Sequence, residues 1–452
     1  MGSRIDRCLN LGTPEAGTKG KLGQGMPKQK RNVIIGNSAA GLSALETLRR
    51  SDPDCQITLI SGEKGPAYSP VLLPYFVAGR IDQQNLFLTD DNYYRKWKVR
   101  TIFGKIASEI DKENEQVVLV EGETIPYDHL IICTGASPAE LKIEGSDRIP
   151  LRSLRTLGDA CELRAWSRKY KRILMIGAGL INLKLASLLR TLGLEITVVE
   201  IADQILANMV DEKAARMIEL EISKTTVQVI KSCRETGIEA SPRNRHVAVL
   251  SNGHEIEIDA VVVNTGISPN IQFAVSSGIR AERGILIDAF CRTNLPNVYA
   301  AGDVVSSKNK VHGQYMNLGN WFNAVEQGKI AASSVAGRAR EYEGSLNLNI
   351  TELFGVTVFS FGELVETKTK SESHILSDPQ RGYYRKIVVS EGKIVGGVFL
   401  TESRNSGIYR SLLMKGIGER KLGSLLRRRE IHSLGELMDY SKVRRRIEIC
   451  LS

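Results

Sequence analysis

Short hydrophobic runs alternate with amphipathic segments along most of the chain, a pattern that predicts strands and helices in turn. The first run, NVIIG, leads through the small-residue turn NSAAG into the amphipathic segment LSALETLRRSDP, which Pro53 stops. QITLIS follows as a second hydrophobic run. A strand, a helix and another strand in this order make a βαβ unit, and HLIICTGA predicts a further buried strand that ends in a turn.

The same alternation starts again near residue 171. KRILMIG predicts a strand, AGLINLKLASLLRTLG a turn and a helix, and LEITVVE the next strand. Further on, AVVVNTGISPN repeats the pattern of HLIICTGASPA. The sequence therefore predicts an α/β fold in which two Rossmann-like dinucleotide-binding modules recur at a separation of about 140 residues.

The two ends of the chain differ from the rest in residue composition and periodicity. The N-terminal end is rich in glycine and lysine without any period, which predicts a flexible extension. The C-terminal end is rich in β-type runs and closes with two helical segments, which predicts a separate α+β domain. The predicted divisions are the extension (1–30), the first module (31–150 and 271–345), the second module (151–270) and the C-terminal domain with its basic tail (346–452).

A chain of 452 residues is too long for one hydrophobic core, which agrees with this division. No apolar run approaches the length of a membrane span and no signal-peptide pattern opens the chain, so we expect a cytoplasmic protein without a membrane span. The seven cysteines are scattered and none forms a CxxC pair. Scattered thiols fit a reducing compartment, and their spacing disfavours a zinc or iron–sulfur site, so we expect no metal.

The net charge of +10 is concentrated in basic clusters near both ends of the chain. KQKR spans 28–31, RRR spans 427–429 and KVRRR spans 442–446. One interpretation is a solvated surface, and another is a docking face for an acidic partner, because opposite charges speed encounter. The clusters lack the interleaved aromatic residues of a stacking platform, so we expect no nucleic-acid binding.

The first glycine turn carries small residues between a strand and a helix, which allows a pyrophosphate to approach the backbone. Gly36 permits the turn and Gly41 permits close packing of helix and strand, while Ser38 replaces the central glycine of the usual fingerprint. Glu63 follows the second strand, where an acid binds ribose hydroxyls. The turn and this acid together predict a dinucleotide site.

The second turn has glycines at Gly177 and Gly179, but Asn182 stands at the third position. Either the helix lies farther from the strand there, or the Asn182 amide fills a polar gap. Glu200 ends the strand EITVVE, where a carboxylate bonds the 2′-hydroxyl of a ribose and repels a 2′-phosphate. No arginine directly follows Glu200, so the site favours NAD(H) over NADP(H).

These motifs in combination resemble the pyridine nucleotide–disulfide oxidoreductase family over about residues 32–410. The carriers of the resemblance are VIIGNSAAG, YDHLIICTGASP, RILMIGAGL with TVVE, VVVNTGISPN and TNLPNVYAAGD. The resemblance implies FAD in the first module and NAD(H) in the second. Residues expected at FAD are Gly36, Ser38, Ala40, Gly41, Glu63, Ile106, Thr134, Gly135, Gly302, Asp303, Asn320, Trp321 and Ala324; those expected at NAD(H) are Gly177, Gly179, Asn182, Glu200 and Gly266.

The resemblance also implies roles for some of these residues. Asp303 would hold the ribityl chain, and the helix that starts near Asn320 would point its N-terminus at the flavin pyrimidine edge. Thr134 and Gly135 would line the flavin site, and the backbone of Ile106 would contact the adenine.

Two positions depart from the family pattern. AYSPVLLPYFVAG resembles the subgroup of rubredoxin reductases, nitrite-reductase flavin domains and NADH oxidases, and Val71 stands where the peroxidase and CoA-disulfide reductase branch has a cysteine. The histidine–glutamate pair of glutathione-reductase-type enzymes is absent too, since His432 lies in a basic segment. Lys184 stands where the resemblance places a glutamate near the nicotinamide, and it would point to solvent or contact the pyrophosphate.

The resemblance implies hydride transfer from NADH to the flavin, with flavin N5 rather than a catalytic side chain carrying the chemistry. Without a thiol, electrons can pass to a small acidic electron carrier or iron–sulfur subunit, such as a rubredoxin-like protein. The alternatives are an NADH oxidase or diaphorase that reduces oxygen or small acceptors, and a non-catalytic flavin relay or assembly subunit. The C-terminal domain resembles the interface domain through which members of the family form homodimers.

Overall fold

The computed structural model describes residues 29–241, 245–364, 371–401, 411 and 413–416. Nearly all of the predicted extension lies outside the described residues, and so do His432, the helical segment at 433–446 and the basic clusters at 427–429 and 442–446. Most of the helical segment predicted at 406–417 lies outside them as well.

The strands of the described part form seven sheets, and their bounds in chain order are as follows. They are β1 (Arg31–Ile35), β2 (Gln56–Ser61), β3 (Val99–Phe103), β4 (Ala107–Asp111), β5 (Gln116–Leu119), β6 (Thr124–Pro126), β7 (His129–Ile132), β8 (Ala136–Pro138), β9 (Leu151–Arg152), β10 (Arg172–Ile176), β11 (Glu195–Val199), β12 (Gln228–Ile230), β13 (Glu235–Ser241), β14 (Arg245–Leu250), β15 (Glu255–Ile258), β16 (Ala260–Val263), β17 (Ile267–Pro269), β18 (Ile285–Leu286), β19 (Val298–Ala300), β20 (Val305–Lys308), β21 (Tyr315–Met316), β22 (Leu348–Leu353), β23 (Val356–Gly362), β24 (Ser371–Asp378), β25 (Tyr383–Ser390) and β26 (Lys393–Leu400).

The α-helices lie between these strands. They are α1 (Ala39–Ser51), α2 (Leu73–Val77), α3 (Asp91–Lys96), α4 (Leu157–Lys169), α5 (Leu180–Leu189), α6 (Glu212–Ser223), α7 (Gln272–Ser276) and α8 (Trp321–Val335).

The first module is built on a parallel sheet of order β19-β7-β1-β2-β3. Ile34 of β1 lies between Leu59 of β2 and Ile131 of β7, and all three side chains are fully buried. A parallel sheet covered on both faces needs such continuous apolar strands. Because β19 follows the second module in the chain, the first module is completed only by this late segment.

The second module has a parallel sheet of order β12-β11-β10-β16-β9. Its central strand, β10, is followed by a glycine turn and α5, as β1 is followed by a glycine turn and α1. Both central strands place their turn at the carboxyl edge of a parallel sheet, where ligands bind in open α/β folds. The predicted α/β class with two Rossmann-like modules is thus confirmed.

The two repeated segments, TGASP and TGISP, pair with each other. Strands β8 and β17 run antiparallel, with Ser137 opposite Ser268. The Thr134 hydroxyl donates to the Asn270 carbonyl over 3.1 Å, and the Asn270 amide donates to the Thr134 carbonyl over 2.9 Å. The crossover out of the first module and the return into it are therefore tied together.

The C-terminal domain is an antiparallel sheet of order β22-β23-β26-β25-β24. Phe359, Phe361 and Phe399 stack within its own core. The domain also contacts the second module, where the fully buried Tyr384 donates a hydrogen bond of 2.6 Å to the Asp211 carboxylate. In the described residues, none of the helices is both long and apolar enough for a bilayer crossing.

Candidate functional site

The turn between β1 and α1 requires glycine at both predicted positions. Gly36 has a φ of +121°, and a Cβ on it would lie 2.0 Å from the Cys133 carbonyl oxygen. A Cβ on Gly41 would lie 1.9 Å from the Gly36 carbonyl oxygen. Since no side chain fits at either position, the strand and helix meet closely and the turn backbone stays open to a ligand.

The turn between β10 and α5 has similar geometry. Gly177 has a φ of +96°, and a Cβ on it would lie 2.6 Å from the Asn264 carbonyl oxygen. Gly179 precedes α5 and faces open space, with no heavy atom within 4 Å of a Cβ built there. Gly266, in the loop between β16 and β17, has a φ of +145° and also faces open space. These three glycines leave room for an extended ligand.

The N-termini of α1 and α5 lack a side-chain cap. Ser38 and Gly179 occupy the N-cap positions, and neither provides a side-chain hydrogen bond to the first turn. The other described helices of ten residues or more are capped, α4 by Thr156, α6 by Asp211 and α8 by Asn320. Uncapped N–H groups carry the positive end of the helix dipole, which suits them to bind a phosphate.

Glu63 lies just beyond β2, and its carboxylate accepts hydrogen bonds of 2.7 and 2.9 Å from the Tyr68 hydroxyl. The same hydroxyl accepts a hydrogen bond of 3.0 Å from the Leu157 backbone N–H at the start of α4. Burial and the nearby Glu63 carboxylate raise the pKa of Tyr68, which keeps the hydroxyl a donor. Tyr68 therefore fixes the position of the predicted ribose-binding acid.

Glu200 lies at the end of β11, beside the second glycine turn. Its carboxylate accepts hydrogen bonds of 2.6 Å from the Ala178 N–H and 2.9 Å from the Ala202 N–H. These bonds hold the carboxylate next to Gly177 and Gly179. An acid in this position has lone pairs left to accept ribose hydroxyls.

Asp303 lies three residues beyond β19 and forms an ion pair with Arg155. The Arg155 guanidinium donates to the Asp303 carboxylate over 2.9 Å. It also passes 3.6 Å from the position that a Cβ on Gly135 would occupy. The pair is partly open to solvent, with side-chain exposures of 30% and 21%, so both charged groups can contact a ligand.

Helix α8 packs directly against α1. A Cβ on Gly328 would lie 2.3 Å from the Ala40 carbonyl oxygen, and one on Gly302 would lie 3.1 Å from the Ala40 Cβ. The Gly302 N–H donates to the Gln327 side-chain oxygen over 2.8 Å. Ala40 and Ala324 are buried, so they shape this contact through small size.

Asn320, which is predicted to contact the flavin, also forms hydrogen bonds within the protein. Its side-chain oxygen accepts from the Asn323 N–H over 2.9 Å, and its amide donates to the Leu346 carbonyl over 2.9 Å. Asn320 therefore caps α8 and ties it to the start of the C-terminal domain. Trp321 packs partly buried against the core of the first module.

Ile106 lies between β3 and β4 with 60% of its surface exposed. Its carbonyl accepts a hydrogen bond of 2.9 Å from the Val120 N–H. A Cβ on Gly62, next to the acid Glu63, would lie 3.3 Å from the Ile106 side chain. An exposed apolar side chain beside Glu63 is suited to cover a nucleotide base.

Asn182 is fully buried, and its side chain forms hydrogen bonds within the protein, so a contact with NAD(H) remains a prediction for its backbone N–H alone. Its amide donates to the Ile176 and Gly177 carbonyls, each over 2.8 Å, and its oxygen accepts from the Asn264 amide over 2.7 Å. The side chain fills a polar gap between helix and strand, the second alternative of the sequence analysis. Asn182 thus holds the turn closed without a third glycine.

Lys184 does not point to solvent, so that one of its two predicted environments is wrong. It is buried, and its ammonium donates to the Glu352 carbonyl of the C-terminal domain over 2.6 Å. The same ammonium lies 4.6 Å from the centre of the Tyr75 ring on α2. Lys184, in the second module, therefore contacts both the first module and the C-terminal domain.

Val71 is 62% exposed, on the short helical turn that leads into α2. Four of the five described cysteines are buried, and burial raises the pKa values of the Cys55, Cys133 and Cys291 thiols, that of Cys133 to about 12. Such thiols stay protonated and unreactive at neutral pH. In the described residues, no group of His, Cys, Asp and Glu is arranged to hold a metal ion.

Arg155 and Tyr68 are site residues that the sequence analysis missed. The capping box from Thr156 to Asp159 is visible in the sequence and marks the start of α4. That signal could have pointed to Arg155 as the residue just before a helix at the module boundary. Nothing local indicates its partner, because Asp303 lies 148 positions away.

Comparison with known proteins assigns two family models to the chain. Residues 30–328 match the model "Pyridine nucleotide-disulphide oxidoreductase", and residues 348–417 match "Rubredoxin NAD+ reductase C-terminal domain". The first match covers the two Rossmann-like modules, and the second covers the antiparallel C-terminal sheet.

Curated relatives and solved structures agree with these matches. The assimilatory nitrate reductase electron transfer subunit of Bacillus subtilis is 29% identical over 89% of this chain, which spans about half (50%) of the relative's length. The rubredoxin-NAD(+) reductase of Pseudomonas putida is 30% identical over 68% of this chain and 80% of its own length. The NAD-dependent persulfide reductase from A. fulgidus matches with a TM-score of 0.80 and 27% identity, over 87% of this chain and 78% of that structure.

Proposed function

Because the chain belongs to the pyridine nucleotide-disulphide oxidoreductase family, we propose that it is an FAD-dependent oxidoreductase that passes electrons between NADH and a small protein carrier without a redox thiol. Members of the family are flavin-dependent NADH oxidoreductases that use FAD and NAD(H). When bound, FAD would accept a hydride from NADH and release electrons one at a time to the carrier.

The observation that carries the proposal is the pair of uncapped helix N-termini, each next to an ordered carboxylate. At the first, α1 would bind the FAD pyrophosphate, and Glu63, held by Tyr68, would bind the adenosine ribose. At the second, α5 would bind the NAD(H) pyrophosphate, and Glu200 would bind its ribose. The residues of both sites fit a dinucleotide in shape and in charge.

Arg155 and Asp303 would complete the FAD site. The guanidinium supplies positive charge and fixed N–H donors, which suit a diphosphate. The carboxylate supplies acceptors for the ribityl hydroxyls. Since the two groups neutralise each other over 2.9 Å, the cleft stays stable before the cofactor enters.

An acidic electron carrier is supported by charge and by the relatives. The chain carries a net charge of +10, and opposite charge steers weak, fast encounters between redox proteins. One relative is named for rubredoxin, and the ferredoxin–NAD(+) reductase component of the biphenyl dioxygenase system of Paraburkholderia xenovorans is 28% identical over 67% of this chain. We propose a rubredoxin-like or iron–sulfur protein of acidic surface as the partner.

The thiol-free part of the proposal is supported by the described cysteines. Of the five described cysteines, Cys55, Cys133, Cys233 and Cys291 are buried and only Cys161, on α4, is exposed. Burial raises the pKa values of Cys55, Cys133 and Cys291. Val71 stands where another branch of the family has a redox cysteine, and its side chain is aliphatic. Electrons would then leave the flavin directly rather than through sulfur.

An NADH oxidase or diaphorase is the second candidate function, and the 62% exposure of Val71 supports it, because an open face admits small acceptors. A non-catalytic relay had its only support in the altered second turn. The three hydrogen bonds by which Asn182 closes that turn weigh against the relay.

We also propose that the domain divisions expected from the sequence hold. A further proposal is that the protein forms a homodimer through the C-terminal domain. The edge strands of its sheet, β22 and β24, carry the exposed side chains Ile350 and Ile375. Exposed apolar residues on edge strands favour contact with a second chain.

An anaerobic experiment with the FAD-supplemented protein separates the candidate functions. Rapid loss of the flavin's visible absorbance on addition of NADH excludes the relay. Faster reoxidation by an acidic ferredoxin or rubredoxin than by oxygen, slowed by salt, supports the carrier function. Strong oxygen consumption without any gain from added carrier would instead establish the oxidase.

A further inference from the structure

Lys184 is a buried cation without an acidic partner. In the described part of the chain, no carboxylate lies within 4.0 Å of its ammonium, and only 9% of the residue is exposed. Removing a charge from water is costly unless other groups compensate.

The compensation comes from two other parts of the chain. The Glu352 carbonyl of β22 accepts a hydrogen bond of 2.6 Å from the ammonium, and the Tyr75 ring of α2 faces it at 4.6 Å. A carbonyl oxygen and an aromatic face both attract a cation. Lys184 therefore ties the second module to the first module and to the C-terminal domain simultaneously.

A neighbouring contact fixes the same surface of α5. Three positions after Lys184, the Ser187 hydroxyl accepts a hydrogen bond of 2.8 Å from the Phe354 N–H. Phe354 and Gly355 form the tight turn between β22 and β23, both with positive φ. Residues three apart share one face of a helix, so this face of α5 is seated on the end of β22 at two points.

The geometry relates this junction to both candidate cofactor sites. Lys184 comes two residues after Asn182, which closes the second glycine turn. On the other side, Tyr75 lies in α2 four residues after Val71, which lies on the helical turn that leads into α2. A shift of α5 against α2 would therefore move the second turn relative to the surface around Val71.

We propose that Lys184 is a positioning residue that sets the distance between the NAD(H) turn and the flavin module, and so the rate of hydride transfer. The inference rests on the proposed function. Hydride transfer depends steeply on distance, and a misplacement of about 1 Å can lower a rate by about a hundredfold. Binding of either cofactor does not need Lys184, because the groups that hold them lie elsewhere.

Stopped-flow reduction of the FAD-loaded protein by NADH tests this inference on two variants, Lys184→Met and Lys184→Arg. The matched control is Lys96→Met, because Lys96 is an exposed lysine on a helix. We expect Lys184→Met to keep its FAD content and its Kd for NADH within about threefold, while the limiting rate falls about tenfold or more. Lys184→Arg, which keeps the charge, should recover most of the rate. A limiting rate of Lys184→Met within twofold of the wild type, or an equal loss in Lys184→Arg, overturns the inference.

Hydrogen exchange without NADH gives an independent readout. In Lys184→Met, the backbone amides of Leu73–Val77 and Leu348–Leu353 should exchange faster than in the wild type. The amides of Arg31–Ile35 should exchange at an unchanged rate. If Lys184→Met fails to bind FAD, Tyr75→Leu replaces it in both measurements, because it removes the ring and leaves the lysine. Unchanged exchange in both segments contradicts the inference, whereas a wild type that NADH does not reduce contradicts the proposed function alone.

Discussion

The guanidinium of Arg155 donates a hydrogen bond of 2.9 Å to the carboxylate of Asp303, although the two residues lie 148 positions apart. Arg155 directly precedes the cap of α4 at the entry to the second module, and Asp303 follows the strand that completes the first. The pair therefore joins the entry to the second module with the end of the first module at the glycine-lined cleft. Its partial exposure leaves a cation and an acid facing the place proposed for FAD.

Removing the guanidinium should weaken FAD binding. Arg155→Met loses a charge-assisted hydrogen-bond donor for the diphosphate and leaves Asp303 without its counterion, so we expect the Kd for FAD to rise about tenfold to hundredfold. Fluorescence titration of the cofactor-free protein measures this Kd. Arg152→Met is the control, because Arg152 forms an exposed pair with Glu162 nearby and should leave the Kd unchanged. Equal Kd values for both variants would show that Arg155 does not contact FAD.

Glu200 should control both the affinity for NADH and the choice between NADH and NADPH. Glu200→Gln removes one acceptor beside the Ala178 N–H and the charge that repels a 2′-phosphate. We expect the KM for NADH to rise about tenfold while the KM for NADPH stays constant or falls. Steady-state reduction of a dye acceptor measures both constants. Glu195→Gln, which changes an exposed acid on the same strand, should alter neither; a parallel rise of both constants in Glu200→Gln argues for a general loss of structure.

The thiols should differ sharply in reactivity. Because burial raises the pKa of Cys133 to about 12 and also raises that of Cys291, neither forms appreciable thiolate at pH 8. Mass mapping after iodoacetamide treatment of the folded protein should find Cys161 modified and Cys133 and Cys291 unmodified. The same treatment in denaturant, where all thiols react, is the control. Modification of Cys133 in the folded protein would indicate that the first turn opens in solution.

His129 should make stability depend on pH. Burial lowers its pKa below the ordinary 6.5, and its buried Nδ1 has no hydrogen-bond partner among the described residues. In the window just below pH 6.5 the unfolded chain binds a proton that the folded chain does not, so the free energy of unfolding falls as pH falls through it. Urea unfolding of His129→Gln at pH 7.5 and 5.5 should show a smaller loss than the wild type. The exposed His254→Gln should keep the full loss, and identical losses in all three proteins would assign the effect to other groups.

Short-range patterns were sufficient to predict much of the fold and part of the site. Gly36, Gly41 and Glu63 belong to one βαβ unit, so their order along the chain fixes their neighbourhood in space. The same holds for Gly177 and Glu200, because the Glu200 carboxylate accepts a hydrogen bond from the backbone of the turn.

Contacts between distant segments could not be predicted in this way. Tyr68 reaches the start of α4, and Lys184 reaches Glu352, 168 positions away. Such contacts depend on how the modules pack against each other, and neither hydrophobic periodicity nor a short motif predicts that packing. The Asn182 side chain was predicted as one of two alternatives, and only the packing of α5 against β10 decides between them.

The central claim is that NADH electrons leave the flavin for a protein carrier without passing through sulfur. The most direct test is the NADH-dependent reduction of an acidic ferredoxin or rubredoxin under anaerobic conditions, by the FAD-loaded protein after its accessible thiols have been alkylated. The account predicts that the carrier is reduced at the same rate before and after alkylation and more slowly at high salt. A carrier that stays oxidised while the flavin is reduced, or a rate that disappears with alkylation of one cysteine, would contradict it.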